Sequence, residues 1–257
     1  MKKNIVFIPF VKDDSRATRS LPYKYSIASW RKWCDKNDCD LVIMDEPICP
    51  ISEMKITWQR WYVLDILENS GIDYDQVLMV DADTIIHPDT PNFFEMTEHK
   101  FTAVHNEGCY DWICRSIENY NKYMFTGDVP FELNEYINAG FLIFNKSHKQ
   151  FLKDFLDFYH TNRERIEEIQ KTFQVGTDQS IIQYFLKIKN IDLKLLPYEF
   201  NMCDLVRKEI LDDELTMTKV GWIYHYNAIP NNHEAELTLH FMKKTYEHLY
   251  GELNETE

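Results

Sequence analysis

Residues 76–87 are QVLMVDADTIIH. Four apolar residues, Val77 to Val80, run without interruption into Asp81-Ala82-Asp83-Thr84. A short run of this kind is the pattern of a buried strand. Asp81 and Asp83 follow it two positions apart, and side chains at i and i+2 of extended chain leave the same face. Both carboxylates can therefore reach one hard divalent cation, Mn²⁺ or Mg²⁺, which prefers oxygen ligands and bridges to phosphates. In open α/β sheets ligands bind at the carboxyl ends of strands, which is where this pair stands.

Two other Asp-x-Asp triplets lack that context. Asp38-Cys39-Asp40 lies in a polar stretch and Asp73-Tyr74-Asp75 follows Gly71, and both read as solvated carboxylates.

Working outward, Asn4 to Pro9 reads as a first buried strand and Lys12 to Ser20 as a charged loop. Pro22 to Trp33 has the pattern of a helix and Asp40 to Met44 that of a second strand. Thr57 caps an expected helix to about Asn69, with Trp58, Trp61, Tyr62, Leu64 and Leu67 recurring at helical spacing. The resulting order, strand–helix–strand–helix–strand, predicts an α/β protein with a parallel, doubly wound sheet. Beyond it the pattern changes. Phe101 to His105 reads as a strand, and Cys109 to Val129 is aromatic-rich without clear periodicity. Ile137 to Asn145 reads as a strand whose central glycine signals a bulge or close backbone approach. Phe151 to Ile169 and Asp178 to Leu186 read as helices, Lys194 to Pro197 and Val220 to Tyr226 as strands, and Glu234 to Tyr250 as a terminal helix.

Composition narrows the function. The 257 residues are 44% hydrophobic, ample for a core, and 7 Gly and 9 Pro exclude a low-complexity chain. A net charge of -14 argues against binding duplex nucleic acid or anionic membranes. No stretch has the apolar length of a membrane span, and Met1-Lys2-Lys3 leads into a run too short for a signal peptide. The six cysteines fit no zinc pattern, which points to reduced thiols and a cytoplasmic protein.

Several motifs occur in a definite order. Trp58-Gln59-Arg60 precedes Asp81-Ala82-Asp83-Thr84. Asn138-Ala139-Gly140 then opens an apolar run, Gly176-Thr177-Asp178-Gln179 opens a helix, and His225 follows a late strand. On its own each has a structural reading as well: Arg60 as a surface arginine, Asn138 to Gly140 as a bulged core strand, and Asp178 as a charge favoured by the helix dipole. His87, His105 and His233 compete with His225 as late ligands.

In this order the motifs resemble the glycosyltransferases of the A-type fold, and are most similar to the glycogenin-like and the galactosyl- and xylosyltransferase families. The resemblance covers residues 4–227. It implies a Rossmann-like mixed sheet flanked by helices in a single domain over 1–257, with a nucleotide-sugar-binding half over 1–105. The acceptor half and C-terminal helix would span 106–257. It implies a metal-dependent transfer, with retention, from a nucleotide-sugar, a UDP-sugar first, to a hydroxyl of a glycan or other acceptor. Asp81, Asp83 and His225 would hold the metal, Asp81 also meeting the ribose. Asp178 and Gln179 would face the reacting sugar, and Asn138, Ala139 and Gly140 would line its pocket. Arg60 would contact the leaving phosphate, with Arg16, Arg19 and Lys24 as further phosphate candidates. Pro9, at the end of the first strand, completes the donor site. The chain departs from the glycogenin-like pattern after the histidine. His225-Tyr226-Asn227-Ala228-Ile229-Pro230 carries no Lys-Pro-Trp element, so Asn227 or Arg60 is expected to hold the diphosphate instead. Without the resemblance, a nucleotidyltransferase, a pyrophosphatase or a non-catalytic sugar-nucleotide binder also fits the carboxylate pair. The absence of glycine from Pro9 to Ser20 counts against the first.

Overall fold

The structure, a computed structural model, describes residues 2–11, 18, 20–127, 129–230 and 232–253. Arg16 and Arg19 lie outside the described residues.

The first half builds the expected alternation. Strand β1 (Lys3–Pro9) is followed by α1 (Tyr23–Lys36), β2 (Asp40–Met44), two short helices α2 (Ile56–Gln59) and α3 (Val63–Asn69), and β3 (Tyr74–Val80). The three strands are parallel, with β1 between β2 and β3. Ile5 to Ile8 and Val77 to Val80 are all fully buried, because helices cover both faces of the sheet. Alternate residues feed two cores. Ile5, Phe7, Val77 and Met79 pack toward the Trp58, Trp61 and Leu64 side, and Val6, Ile8, Leu78 and Val80 toward Trp30 and Trp33.

The second half extends this sheet. Strands β5 (Phe101–His105), β6 (Ile137–Asn145) and β7 (Leu193–Leu196) complete the order β2-β1-β3-β6-β5-β7, in which only β6 runs antiparallel to its neighbours. Helices α4 (Tyr110–Tyr123), α5 (Lys149–Phe173) and α6 (Asp178–Ile188) pack together beside it. A separate ribbon pairs β4 (Thr84–Ile86) with β8 (Ile223–His225) and is covered by α7 (Glu236–Tyr250). None of the described helices is long and apolar enough to cross a membrane, and the six cysteines are unpaired.

Three local expectations need correction. Residues 109–129, read as irregular, contain α4. Its buried positions Ile113, Ser116, Ile117 and Tyr120 do keep helical spacing, but a serine stands in the apolar stripe and half-buried aromatics flank it. The helix expected from Thr57 to Asn69 is broken by a 3-10 turn at Arg60–Tyr62, and its N-cap is Lys55. The strand expected over 220–226 is only three residues long and belongs to the ribbon, not the main sheet. The bulge expected in β6 is present: the register against β5 slips between Ala103 and Val104, opposite Ala139 to Phe141.

Trp33 is a keystone of the second core. Its ring stacks on Phe93 at 4.5 Å and its indole N–H donates to the Thr90 carbonyl at 3.0 Å. Trp33→Ala is expected to cost about 3–5 kcal/mol of unfolding free energy, measured by urea denaturation.

Candidate active site

Asp81 and Asp83 stand on the loop between β3 and β4, and the local hydrogen bonds explain why it holds its shape. The Asp81 N–H donates to the Gly140 carbonyl at 3.0 Å, so β6 carries on the pairing one residue past the end of β3. The buried Thr84 hydroxyl donates to the Asp81 carbonyl at 2.8 Å and accepts the Trp30 indole N–H at 2.9 Å. The ribbon then brings in the third group. Thr84 pairs with His225, and the Tyr226 N–H donates to the Asp83 carbonyl at 2.9 Å.

The outcome is a compact triad. Nε2 of His225 lies 3.1 Å from Oδ1 of Asp83 and 3.6 Å from Oδ2 of Asp81. One ligand atom from each of the three residues falls within 4.8 Å of the others, and among the described residues no other His, Cys, Asp or Glu joins such a group. His87, His105 and His233 stay apart from it. The donor set of two carboxylates and an imidazole fits a divalent cation. Nδ1 of the buried His225 has no hydrogen-bond partner, so the working nitrogen is the one facing the carboxylates.

Gly140 is what lets these groups meet. A Cβ there would clash with Cε1 of His225 and lie 2.8 Å from Oδ2 of Asp81 and from Oδ1 of Asn138. Asn138 turns inward, its Oδ1 accepting the Gly140 N–H at 2.7 Å and an Asn201 amide N–H at 3.0 Å. The Ala139 N–H donates to Oε1 of Gln179 at 2.9 Å, tying β6 to the first turn of α6.

Arg60 is not a surface residue. It is 5% exposed and bridges two acids. Its Nε and Nη2 donate to Oδ2 of Asp178 at 3.1 and 2.7 Å, and its Nη1 donates to Oδ1 of Asp81. Asp178 also accepts the Trp61 indole N–H at 2.9 Å and the Thr177 hydroxyl at 2.6 Å. The 3-10 turn thus presents Arg60 and Trp61 together to one carboxylate oxygen.

The electrostatics follow from burial and close charge. Burial pushes the Asp81 carboxyl above its usual range; Arg60 and His225 pull against this, and Asp83 and Asp178 add to it. For His225, burial disfavours the imidazolium, but Asp83 and Asp81 outweigh it and Asp204 adds to them, so its pKa stands above the ordinary histidine value. Burial also works against the Arg60 charge, yet Asp178 and Asp81 hold it firmly protonated.

Two clefts meet at this cluster. The first, of about 430 Å³, is lined by Pro9, Tyr23, Thr57, Arg60 and residues 176–179. The second, of about 380 Å³, is lined by Asn106, Arg115, Asn138, Asp204, His225 and Asn227. Asp81, Asp83, Trp112 and Gln179 belong to both walls. The residues singled out in the sequence are therefore gathered in one place, with Ala139 and Gly140 buried behind the wall. Lys24 is exposed and lines neither cleft. Asn227 accepts the Asp204 N–H at 2.9 Å through its side-chain oxygen. Asn106 and Asp204 had no signal in the sequence, since each arrives from a loop whose position depends on distant pairing, and Trp112 was marked only as part of the aromatic-rich stretch Cys109 to Val129.

No protein-family model and no curated protein sequence matches the chain. Solved structures do. A glycosyltransferase involved in the glycosylation of the PBCV-1 major capsid is similar at a TM-score of 0.60, with 9% identity over 92% of this chain and 98% of that one. The WbbM bifunctional glycosyltransferase is similar at 0.51, with 15% identity over 89% of this chain and 46% of that one. The fold is of the glycosyltransferase-A type. At such identities the likeness is one of architecture, so the reading of the site rests on its own geometry.

Two outcomes test that geometry. Arg60→Ala leaves Asp178 buried and unpaired and is expected to destabilise the fold by about 3–5 kcal/mol, whereas Arg60→Met with Asp178→Leu recovers much of the loss in urea denaturation. Proton and cation compete for Nε2 of His225, whose pKa is raised. Mn²⁺ is therefore expected to bind more weakly at pH ~6 than at pH ~8, and His225→Ala to flatten that dependence in calorimetry.

Proposed function

We propose that this chain is a metal-dependent glycosyltransferase that moves a sugar from a nucleotide-sugar, a UDP-sugar first, to an acceptor hydroxyl with retention. The observation that carries the reading is the Asp81–Asp83–His225 triad in the wall between two clefts. A donor and an acceptor must approach one reacting carbon from separate openings, and a shared wall is where they would meet. Support also comes from the fold, common to two proteins that are themselves described as glycosyltransferases.

The roles follow from position. Asp81, Asp83 and His225 would hold Mn²⁺ or Mg²⁺, which when bound supplies positive charge to a departing diphosphate. Pro9 and Tyr23, at the end of β1 and the start of α1, suit the nucleoside in the first cleft. The bond from the anomeric carbon to phosphate oxygen breaks with its electron pair on the diphosphate. The acceptor oxygen forms the new bond and gives up its proton to the departing phosphate oxygen. Gln179 would sit beside the reacting sugar. Asp178, 2% exposed and accepting four hydrogen bonds, would act by holding Arg60 in place. Asn138, Ala139 and Gly140 would shape the sugar pocket from behind. Of the two groups expected to replace the missing lysine, Arg60 already binds Asp81 and Asp178, and Asn227 is a neutral amide that lines the second cleft rather than the first. Charge neutralisation then falls chiefly on the cation, and dependence on it should be strict. We read the protein as one domain over 1–257 acting in the cytoplasm.

Release of nucleoside diphosphate from a panel of nucleotide-sugars, with Mn²⁺, Mg²⁺ or EDTA, tests the reading. Expected is metal-dependent hydrolysis of one donor, lowered at least about 100-fold in Asp83→Ala. Metal-dependent donor binding without turnover, whatever acceptor is added, would favour a non-catalytic sugar-nucleotide binder. Absence of binding to every donor would sink the proposal.

A further inference from the structure

A further cavity lies apart from the two clefts. It holds about 480 Å³ and shares no lining residue with either of them. One wall is the last part of α5, where Arg163, Glu167, Gln170, Lys171 and Gln174 recur at helical spacing and so share one face. The other is the loop before α2, which supplies Ile51, Ser52 and Lys55. Two contacts clasp the walls together. Nζ of Lys55 donates to Oε1 of Gln170 at 3.0 Å, and Nη2 of Arg163 donates to the Ser52 carbonyl at 3.5 Å.

The charge of this cavity runs against that of the protein. In a chain of net charge -14, its lining carries three cations, Lys55, Arg163 and Lys171, against the one carboxylate of Glu167. Glu167 accepts from Nε of Arg163 at 2.9 Å. Lys55 has only the neutral Gln170 amide, and Lys171 has no partner among the described residues. Of the acids nearby, Glu53 acts on Arg163 from outside the lining, and Glu168, on the next face of α5, pairs with Arg165 at 2.5 Å. The carboxyl end of a helix repels anions, but here its carbonyls are covered. Those of Phe173 and Gln174 accept from Arg115 at 3.0 and 2.8 Å, and that of Lys171 accepts from the Gln174 amide at 2.8 Å. Two ammonium groups and a guanidinium around open space, with the Ser52 hydroxyl and the Gln170 amide beside them, match the oxygens of a phosphate group.

Position gives the cavity a use. Lys55 is followed at once by Ile56 and Thr57, and Gln174 stands two residues before Gly176-Thr177-Asp178-Gln179. Both of those segments line the first cleft. An anion that bridges Lys55 to Arg163 and Lys171 fixes two walls of that cleft from behind, so less ordering is left for a ligand in the cleft to bring about. We propose that this cavity is an effector site for a small phosphate-bearing molecule, whose binding raises donor affinity in the first cleft. The site stands on the cavity itself; the coupling rests on the glycosyltransferase reading.

The test titrates inorganic phosphate, and separately glycerol phosphate as a simple ester, into the full chain in EDTA by calorimetry. Expected is binding without metal, weakened at least about tenfold in Lys55→Gln with Lys171→Glu and held within about twofold in Asp83→Ala. Both lysines are exposed, so the double variant keeps the fold. Whichever probe binds more tightly names the occupant as free phosphate or an ester. No binding of either probe, equal binding in the double variant, or loss of binding in Asp83→Ala would overturn the site. With Mg²⁺ present, a saturating amount of the probe is expected to raise donor affinity about fivefold or more in the wild type and not in the double variant. Unchanged or lowered donor affinity would overturn the coupling. Failure to bind any nucleotide-sugar would remove the glycosyltransferase reading and the effector role with it, while phosphate binding in EDTA still decides the site.

Discussion

One buried guanidinium ties the two halves of the chain together at the site. Arg60 comes from the interrupted helix before β3, Asp81 from the end of β3, and Asp178, 118 residues beyond Arg60, from the first turn of α6. Taking these charges out of water carries a large desolvation cost, so the cluster persists only because each member is paired and further hydrogen-bonded. Trp61 and Thr177 complete that set around Asp178. Such an arrangement adds little net stability compared with an apolar core, but it tolerates few alternatives. It sets where α6 begins relative to β3, and so where Gln179 stands relative to the carboxylate pair.

The opposite side of the site is set by backbone. β6 runs antiparallel between β3 and β5, and its bulge brings Ala139 to Phe141 out of register. The Gly140 carbonyl holds the Asp81 N–H while the missing Cβ leaves room for the His225 ring. Three acids and a histidine are thereby crowded together with one fixed cation, Arg60. The raised pKa values of Asp81 and His225 express the same fact: burial opposes the charge on each, and the acids crowded around them oppose another negative charge and favour a positive one. A site left with excess negative charge in this way fits a cation better than an anion.

The first half of the fold was legible because its signals are local. Val77 to Val80 is apolar on both faces, so burial, strand and the exit of the carboxylates follow from a few adjacent residues. Arg60 was legible as a candidate because Trp58 and Trp61 flank it, although its partners were not: the pairing with Asp178 depends on how α6 docks. His225 stood out only through the order of motifs, since a lone histidine at the end of a three-residue strand carries no periodicity. Asp204 and Asn227 meet only after Met202 bridges to Tyr224, a contact between loops and a ribbon that no window of sequence contains. α4 was missed for a different reason. Its buried stripe contains Ser116, whose hydroxyl has a structural task in holding Gly176.

The same division separates what the two adjoining clefts share from what distinguishes them. The wall they share is built from Asp81, Asp83, Trp112 and Gln179, which are held by the sheet, the ribbon, α4 and α6. What differs between the clefts comes from elsewhere. The first opens on β1, α1 and the buried Arg60, the second on Arg115 of α4 and on Asn106, Asp204 and Asn227, whose segments lie beyond the ends of strands. Loops tolerate substitution better than the elements they connect. The shared wall can therefore stay constant while the loops of the second cleft vary, provided Trp112 and the backbone of Gly176 keep their close packing.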